Sequence, residues 1–292
     1  MTRAAFWSLL ATVRAVATTR LAVVSDTHLS PAAREADGNW DAVVRHVGET
    51  RPDLVIHVGD LSLDGAHRTA DLDHARAQLD RLPVAWHAVP GNHDVGDNPW
   101  PGLPAGEAID AQRHERWLEV VGPDYWSLRL DAWTVLAIDA QLFGADLEAA
   151  DAQWAWIEEE LATFGARPIV LVTHKPWLAS DTELAAAPSY RFVPAVQRAR
   201  FDELFGDRRP ELVVSGHVHQ HRELAAPGSR HLWATTTWAV LPDERQPTLG
   251  TKRCGLLSLE LHDNGSAIAQ LVEPEGLGQF TLGRDIADPY AH

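Results

Sequence analysis

Short apolar runs, several of them β-branched, recur along the chain, and each gives way to a polar stretch bearing Gly or His before helical spacing takes over. That alternation predicts strands at 21–25, 54–58, 84–89, 134–138, 169–173, 212–215, 231–236, 256–261 and 267–272. Apolar positions three and four apart, such as Trp154, Ile157, Leu161 and Phe164, predict helices over 39–50, 70–81, 106–121, 148–163 and 193–205. Strands alternating with helices belong to the α/β class. The stretch 125–136 reads as a hairpin turning at Asp131-Ala132, so strand directions are mixed. Two long loops, 95–106 and 178–192, each start just after a motif and are candidates to carry function.

A chain of 292 residues with 45% hydrophobic and 23% charged residues is long and apolar enough for a single globular domain with a large core. Its formal net charge of −16 repels the phosphates of long nucleic acids and of anionic lipid, so neither is an expected partner. No run of 18 or more apolar residues is present to span a membrane. The lone Cys254 can neither close an intrachain disulfide nor build a thiolate metal site. Residues 4–17 are apolar but interrupted by Arg14; a helical extension is expected there rather than a secretion signal, and a cytoplasmic location follows from that reading.

Five expected strand ends deliver residues of metal-ligating type: Asp26 and His28, Asp60, Asn92 with His93, His174, and His217 with His219. Polar side chains at the ends of neighbouring strands converge on one crevice, so positions far apart in sequence can share a site. The two-residue spacing within Asp26/His28 and His217/His219 puts both members on one side of extended backbone, where each pair can chelate. Two carboxylates, one amide oxygen and four imidazoles suffice for two ions if Asp60 bridges. Oxygen and nitrogen donors without thiolate suit Mn, Fe, Zn or Co. Two such cations would clamp the attacking and leaving oxygens of a phosphoryl substitution and generate hydroxide at neutral pH. His93 should stand at the rim as an acid for the leaving group, with Asp94 fixing its tautomer. Gly59, Gly91 and Gly216 sit where tight turns or close approach would exclude a Cβ. Trp100, Trp177 and Trp238 follow motif strands and are candidates for walls of a substrate pocket, and His67, on the loop after Asp60, for a supporting contact. His57, His87, His114 and His231 read as structural. Lys175 either balances substrate charge or lies solvated, and Arg191 and Arg222 are equally undecided.

Asp26-Thr-His28, Gly59-Asp60, Gly91-Asn-His-Asp94, Thr173-His174 and Gly216-His-Val-His219 together resemble, in order, the five signature blocks of the calcineurin-like metallophosphoesterases. The resemblance covers residues 20–272 as one domain, leaving 1–19 as an extension and 273–292 as a tail. It implies a four-layer αββα sandwich of two mixed β-sheets flanked by helices. It also implies one ion held by Asp26, His28, Asp60 and His219, and a second by Asp60, Asn92, His174 and His217. The chain looks most similar to the bacterial branch that hydrolyses cyclic nucleotides and glycerophosphodiesters. Leu63 stands where purple acid phosphatases place a tyrosine ligand, which argues against a tyrosinate-bound ferric ion. The expected activity is hydrolysis of a small-molecule phosphodiester by a hydroxide between two transition-metal ions (Mn, Fe or Zn), with His93 as general acid. A phosphomonoesterase, a phosphotriesterase and a non-catalytic scaffold are the alternatives. The oligomeric state stays open, a homodimer included.

Overall fold

The computed structural model describes residues 17–177 and 189–289; the expected N-terminal extension and most of the 178–192 loop lie outside them. Two mixed sheets pack face to face between helices, as the resemblance implies. The first sheet holds β1 (Thr18–Val24), β2 (Leu54–His57), β3 (Trp86–Ala88), β10 (Leu256–His262) and β11 (Ala267–Val272), in the order β11-β10-β1-β2-β3. The second holds β4 (Trp126–Arg129), β5 (Thr134–Ala137), β6 (Ile169–Val172), β7 (Leu212–Ser215), β8 (Arg222–Ala226) and β9 (Ser229–Trp233), in the order β4-β5-β6-β7-β9-β8. β1, β2 and β3 run parallel, as do β5, β6, β7 and β9. Antiparallel strands complete both edges of the second sheet and one edge of the first. The parallel strands therefore send their C-terminal ends, and the loops that follow, to one end of the sandwich.

The period-two alternation of a strand explains the layers. Leu21, Val23, Leu54 and Ile56 face Val135, Ala137, Val170, Val172, Leu212 and Val214 across the inner core. Their neighbours Ala22, Val24 and Val55 face outward onto α1 (Asp37–Thr50) and α2 (Thr69–Leu79) through Trp40, Val43, Val47, Leu72 and Leu79. On the other side Leu136, Ile138, Leu171 and Val213 meet Trp154 and Ile157 of α5 (Glu148–Thr163) and Phe201 and Phe205 of α6 (Ala195–Phe205). Strands buried on both faces need apolar residues at consecutive positions, which is why they read as unbroken runs.

The departures from the expected elements have local causes. α4 spans Ala111–Val120 rather than starting at 106, because Asp110 caps it by accepting from the Arg113 N–H at 2.8 Å. Residues just before it are instead held to Asp97, whose carbonyl accepts from the Ile109 N–H at 2.9 Å. A four-residue helix, α3 (Asn92–Val95), follows β3 and has no counterpart in the apolar pattern. The hairpin partner β8 was also unexpected. It is an edge strand of alternating exposure joined to β9 through Pro227-Gly228, with Gly228 at φ 80°. The β4–β5 turn falls as read, with the Leu130 N–H donating to the Trp133 carbonyl at 2.9 Å around Asp131-Ala132.

Residues 273–289, read from sequence as a tail, fold back over the C-terminal ends of the first sheet. Leu282 and Ile286 pack with Trp238 and Leu63, and buried Asn39 of α1 staples the segment in place. Its Nδ2 donates to the Thr237 and Gly278 carbonyls at 2.8 and 3.0 Å, and its Oδ1 accepts from the Gly278 N–H at 2.7 Å. Losing such a buried amide orphans several backbone groups. Asn39→Ala should lower unfolding stability by about 1–3 kcal/mol in urea titrations; a loss below about 0.5 kcal/mol would show that the staple contributes little.

Candidate active site

The loops after β1, β2, β3, β6 and β7 bring Asp26, His28, Asp60, Asn92, His174, His217 and His219 together at the shared end of the sandwich. Asp26, His28 and His219 form one group of closely spaced donor atoms, and Asp60, His174 and His217 another. In the first, His219 Nε2 lies 3.1 Å from His28 Nε2 and 3.2 Å from Asp26 Oδ1. In the second, His174 Nε2 lies 3.3 Å from Asp60 Oδ2, 3.3 Å from Asn92 Oδ1 and 3.1 Å from His217 Nδ1. Asp60 Oδ2 is also 3.9 Å from His28 Nε2, so one oxygen faces both groups.

Backbone conformation makes this convergence. Six non-glycine residues among those described have positive φ; five are Asp26 (50°), His28 (44°), Asp60 (56°), His217 (69°) and His219 (51°), the sixth being Arg51 at a helix C-terminus. Each left-handed residue costs about 1–2 kcal/mol, and such strain persists where the surroundings enforce it. The expected extended geometry at the two-residue pairs is therefore corrected. Left-handed turns re-aim the side chains, and His217 and His219, which spacing alone would let chelate together, fall in different groups, the division that the resemblance implies. The Asp26, His28 and Leu29 N–H groups donate to the Gly59, Asp60 and Leu61 carbonyls at 3.0, 3.2 and 2.8 Å, zipping the first two loops together. The three glycines act as expected: a Cβ on Gly59, Gly91 or Gly216 would overlap His174, Asp60 or Ser25 respectively.

Second partners fix the imidazoles. His174 Nδ1 pairs with the Val58 carbonyl at 2.8 Å and His219 Nδ1 with the Ala239 carbonyl at 2.6 Å. A carbonyl can only accept, so the proton of each neutral ring sits on Nδ1 and the Nε2 lone pair faces the cluster. Lone pairs of several nitrogens and oxygens thus point at common points, and Asp26 Oδ1 is buried with no hydrogen-bond partner. Donors about 2.1 Å from one ion stand roughly 3.0–3.4 Å apart, close to the distances above. The residues fit a pair of cations.

The buried carboxylates and imidazoles perturb one another strongly. Burial, reinforced by His93 and by His174 respectively, holds His28 and His217 well below the usual imidazole range and so neutral. At His174 burial lowers the ring but the Asp60 carboxylate outweighs it, carrying the imidazole to about 9. Asp60, which burial alone would raise, is held well below its ordinary value by His174 and His93.

His93 stands beside the cluster, its ring 4.7 Å from that of His28. Its Nδ1 meets the Leu63 carbonyl at 2.9 Å. The carboxylate of Asp94, expected to orient it, is turned the other way. It accepts from the N–H groups of Leu61, Ser62 and Gly91 at 3.1, 2.9 and 2.9 Å and from the Ser62 hydroxyl at 2.6 Å. Asp94 is a brace for the Asp60 loop. Burial, and then Asp60, push it up to about 6 against those four donors.

A cavity of about 250 Å³ opens over the cluster. Trp238 lines it, covering His28 at 4.6 Å between ring centroids. Trp100 stands one residue behind, stacked on the lining residue Tyr190 at 4.9 Å. Trp177 packs in the outer core against Phe201, away from the cavity, and exposed His67 pairs with Asp64 at 2.7 Å outside it. His57 is structural: its Nε2 lies 3.0 Å from the Thr27 hydroxyl and its Nδ1 accepts from the Gly59 N–H at 3.3 Å. Lys175 is not solvated, and it does not line the cavity. It is fully buried, donating to Asp97, to Asn98 Oδ1 at 2.5 Å and to the Tyr190 carbonyl at 2.7 Å. Sequence reasoning missed Leu241, Arg245, Gln246 and Leu282 in the cavity wall and left Arg191 undecided; they lie far from any motif, and only the course of the loops assembles them.

Comparison with known proteins follows the same lines. No curated protein matches the chain's sequence. Among solved structures, a purple acid phosphatase, PPD1, from yellow lupin superposes with a TM-score of 0.58 at 14% identity, over 90% of this chain and 53% of its own, so the chain spans about half the length of that enzyme. GAP50, the anchor in the inner membrane complex of Plasmodium, gives 0.61 at 13% identity over 89% and 86%. A dimetal phosphatase from Danio rerio gives 0.56 at 12% over 87% and 99%. At these identities the likeness is one of fold. The profile of the calcineurin-like phosphoesterases matches residues 19–221, all five motif loops included, and the chain belongs to that family.

Proposed function

We propose that the chain hydrolyses small phosphodiesters at a two-cation centre, one ion held by Asp26, His28, Asp60 and His219 and the other by Asp60, Asn92, His174 and His217. The observation that carries this reading is the position of Asp60 Oδ2, 3.3 Å from His174 Nε2 and 3.9 Å from His28 Nε2, between the two donor groups. Mn, Fe or Zn suits such donors. Bound there, the cations supply Lewis acidity toward the phosphoryl oxygens and a nucleophile from water at neutral pH.

The chain's own residues do the rest. The amide of Asn92 and the rim imidazole of His93 flank the position of the phosphoryl group. With Nδ1–H directed at the Leu63 carbonyl, an imidazolium at His93 keeps its Nε2 proton for the leaving oxygen. Trp238, Leu241 and Leu282 give the cavity an apolar side, which supports a substrate with an organic group beyond the cleaved bond. The motif likeness to the cyclic-nucleotide and glycerophosphodiester branch favours diesters over monoesters and triesters.

Three measurements test this. Against aryl monoester, diester and triester substrates and cyclic AMP, Mn-loaded protein should prefer diesters, and a monoester preference would contradict the assignment. Gly91→Ala, whose new Cβ would displace the Asp60 carboxylate, should lose bound metal by elemental analysis although no ligand is changed; full metal content would refute the shared role of Asp60. His93→Ala should keep both ions and slow turnover by about 10²–10⁴-fold for alkoxide leaving groups, and far less for nitrophenolate. Equal losses for both would exclude His93 as the acid.

A further inference from the structure

Beyond the Asp and His cluster the cavity wall contains two guanidiniums, Arg191 and Arg245, in a chain of net charge −16. Asp60 is the only carboxylate among the described residues that line it, and it belongs to the proposed ion-binding set. Arg245 has its own counter-charge in Asp288. Arg191 is held differently: its Nε donates to the Tyr190 hydroxyl at 3.0 Å and its Nη2 to the Arg245 carbonyl at 3.1 Å. Both acceptors are neutral, and no carboxylate among the described residues pairs with it. Among the described residues its positive charge is therefore oriented but not compensated.

The wall that carries Arg191 is itself braced. The Tyr190 ring stacks on Trp100, whose Nε1 donates to Asp97 at 2.9 Å, and the Tyr190 carbonyl accepts from buried Lys175 at 2.7 Å. A guanidinium fixed in this way, half-buried at a cavity wall, loses little freedom on meeting an anion and offers its remaining N–H donors to it. Arg191 makes no hydrogen bond to any proposed metal ligand. Its partners, Tyr190 and Arg245, line the same cavity as Leu241 and Leu282.

Resting on the phosphodiesterase reading, we propose that Arg191 binds an anionic group in the organic part of the substrate, separate from the phosphoryl group that is cleaved. The substrate class is then a phosphoester with a second negative charge, a carboxylate or a further phosphate, a few bonds from the scissile ester. Trp238, Leu241 and Leu282 cover the connecting carbon atoms, and Arg191 selects against neutral and cationic substituents.

Isothermal titration of Mn-loaded protein with three non-hydrolysable ligands tests this: propylphosphonate, 3-phosphonopropionate and propane-1,3-bisphosphonate. The two ligands with a distal anion should bind about tenfold or more tightly than propylphosphonate, as one charge-assisted contact allows, and whichever is tighter identifies the anion as carboxylate or phosphate. Arg191→Met should bring that ratio to about one, and Arg191→Lys should restore part of it. A wild-type ratio near one overturns the proposal. So does a ratio that survives in Arg191→Met while all three affinities fall together, because the guanidinium would then be serving the cleaved phosphoryl group. Because binding is read without turnover, a protein that binds with the expected ratio but does not cleave diesters would correct the reaction and leave the anion site standing. Failure of all three ligands to bind would overturn the site reading and this inference with it.

Discussion

One carboxylate oxygen, Asp60 Oδ2, faces histidines delivered by both sheets: His28 from the loop after β1 in the first and His174 from the loop after β6 in the second. The geometry of the centre therefore depends on how the sheets pack, and the inner core formed by Leu21, Val23, Ile56, Val135, Val170 and Val214 sets the separation of the two donor groups. Interiors this dense do not deform continuously. Buried carboxylates and imidazoles with convergent lone pairs are costly unless a positive charge lies among them.

The fold supports that cluster by spending conformational energy locally. Asp26, His28, Asp60, His217 and His219 adopt backbone angles that L-residues avoid, and a ladder of loop hydrogen bonds from Asp26 to Leu61 holds the first three there. Asp94 closes that ladder from the side by accepting four hydrogen bonds from the Asp60 and Gly91 loops. Glycine at 59, 91 and 216 lets backbone pass where a methyl group would collide with His174, Asp60 or Ser25. Chemistry and strain thus occupy the same few residues, as expected where function rather than stability chose the conformation.

Much of this was legible in the sequence, for physical reasons. Central parallel strands are buried on both faces, so β2, β6 and β7 stand out as apolar runs, and the polar residues immediately after them are the ones the loops must present. The edge strand β8 was hidden because Arg222-Glu223 are followed only by Leu224-Ala225-Ala226, with no β-branched residue and no apolar run, leaving Pro227-Gly228 as its clearest signal. Asp94 was readable as part of a motif but not as a loop brace, because its partners are backbone N–H groups of another loop. Trp100 and Trp177 were placed near the substrate by their distance from motifs; the structure puts the first behind Tyr190 and the second in the outer core. The cavity wall itself, from Arg191 through Arg245 to Leu282, left no local signal, since residues meet there only after 273–289 has folded back over Trp238.

The most direct test of the account is anomalous diffraction from crystals grown with Mn²⁺ and recorded near the manganese edge. Two peaks per chain are expected to flank Asp60 Oδ2, roughly 3.5–4 Å apart, one beside His28 and His219 and the other beside His174 and His217. A single peak, or peaks away from Asp60, would contradict the shared carboxylate on which the rest depends.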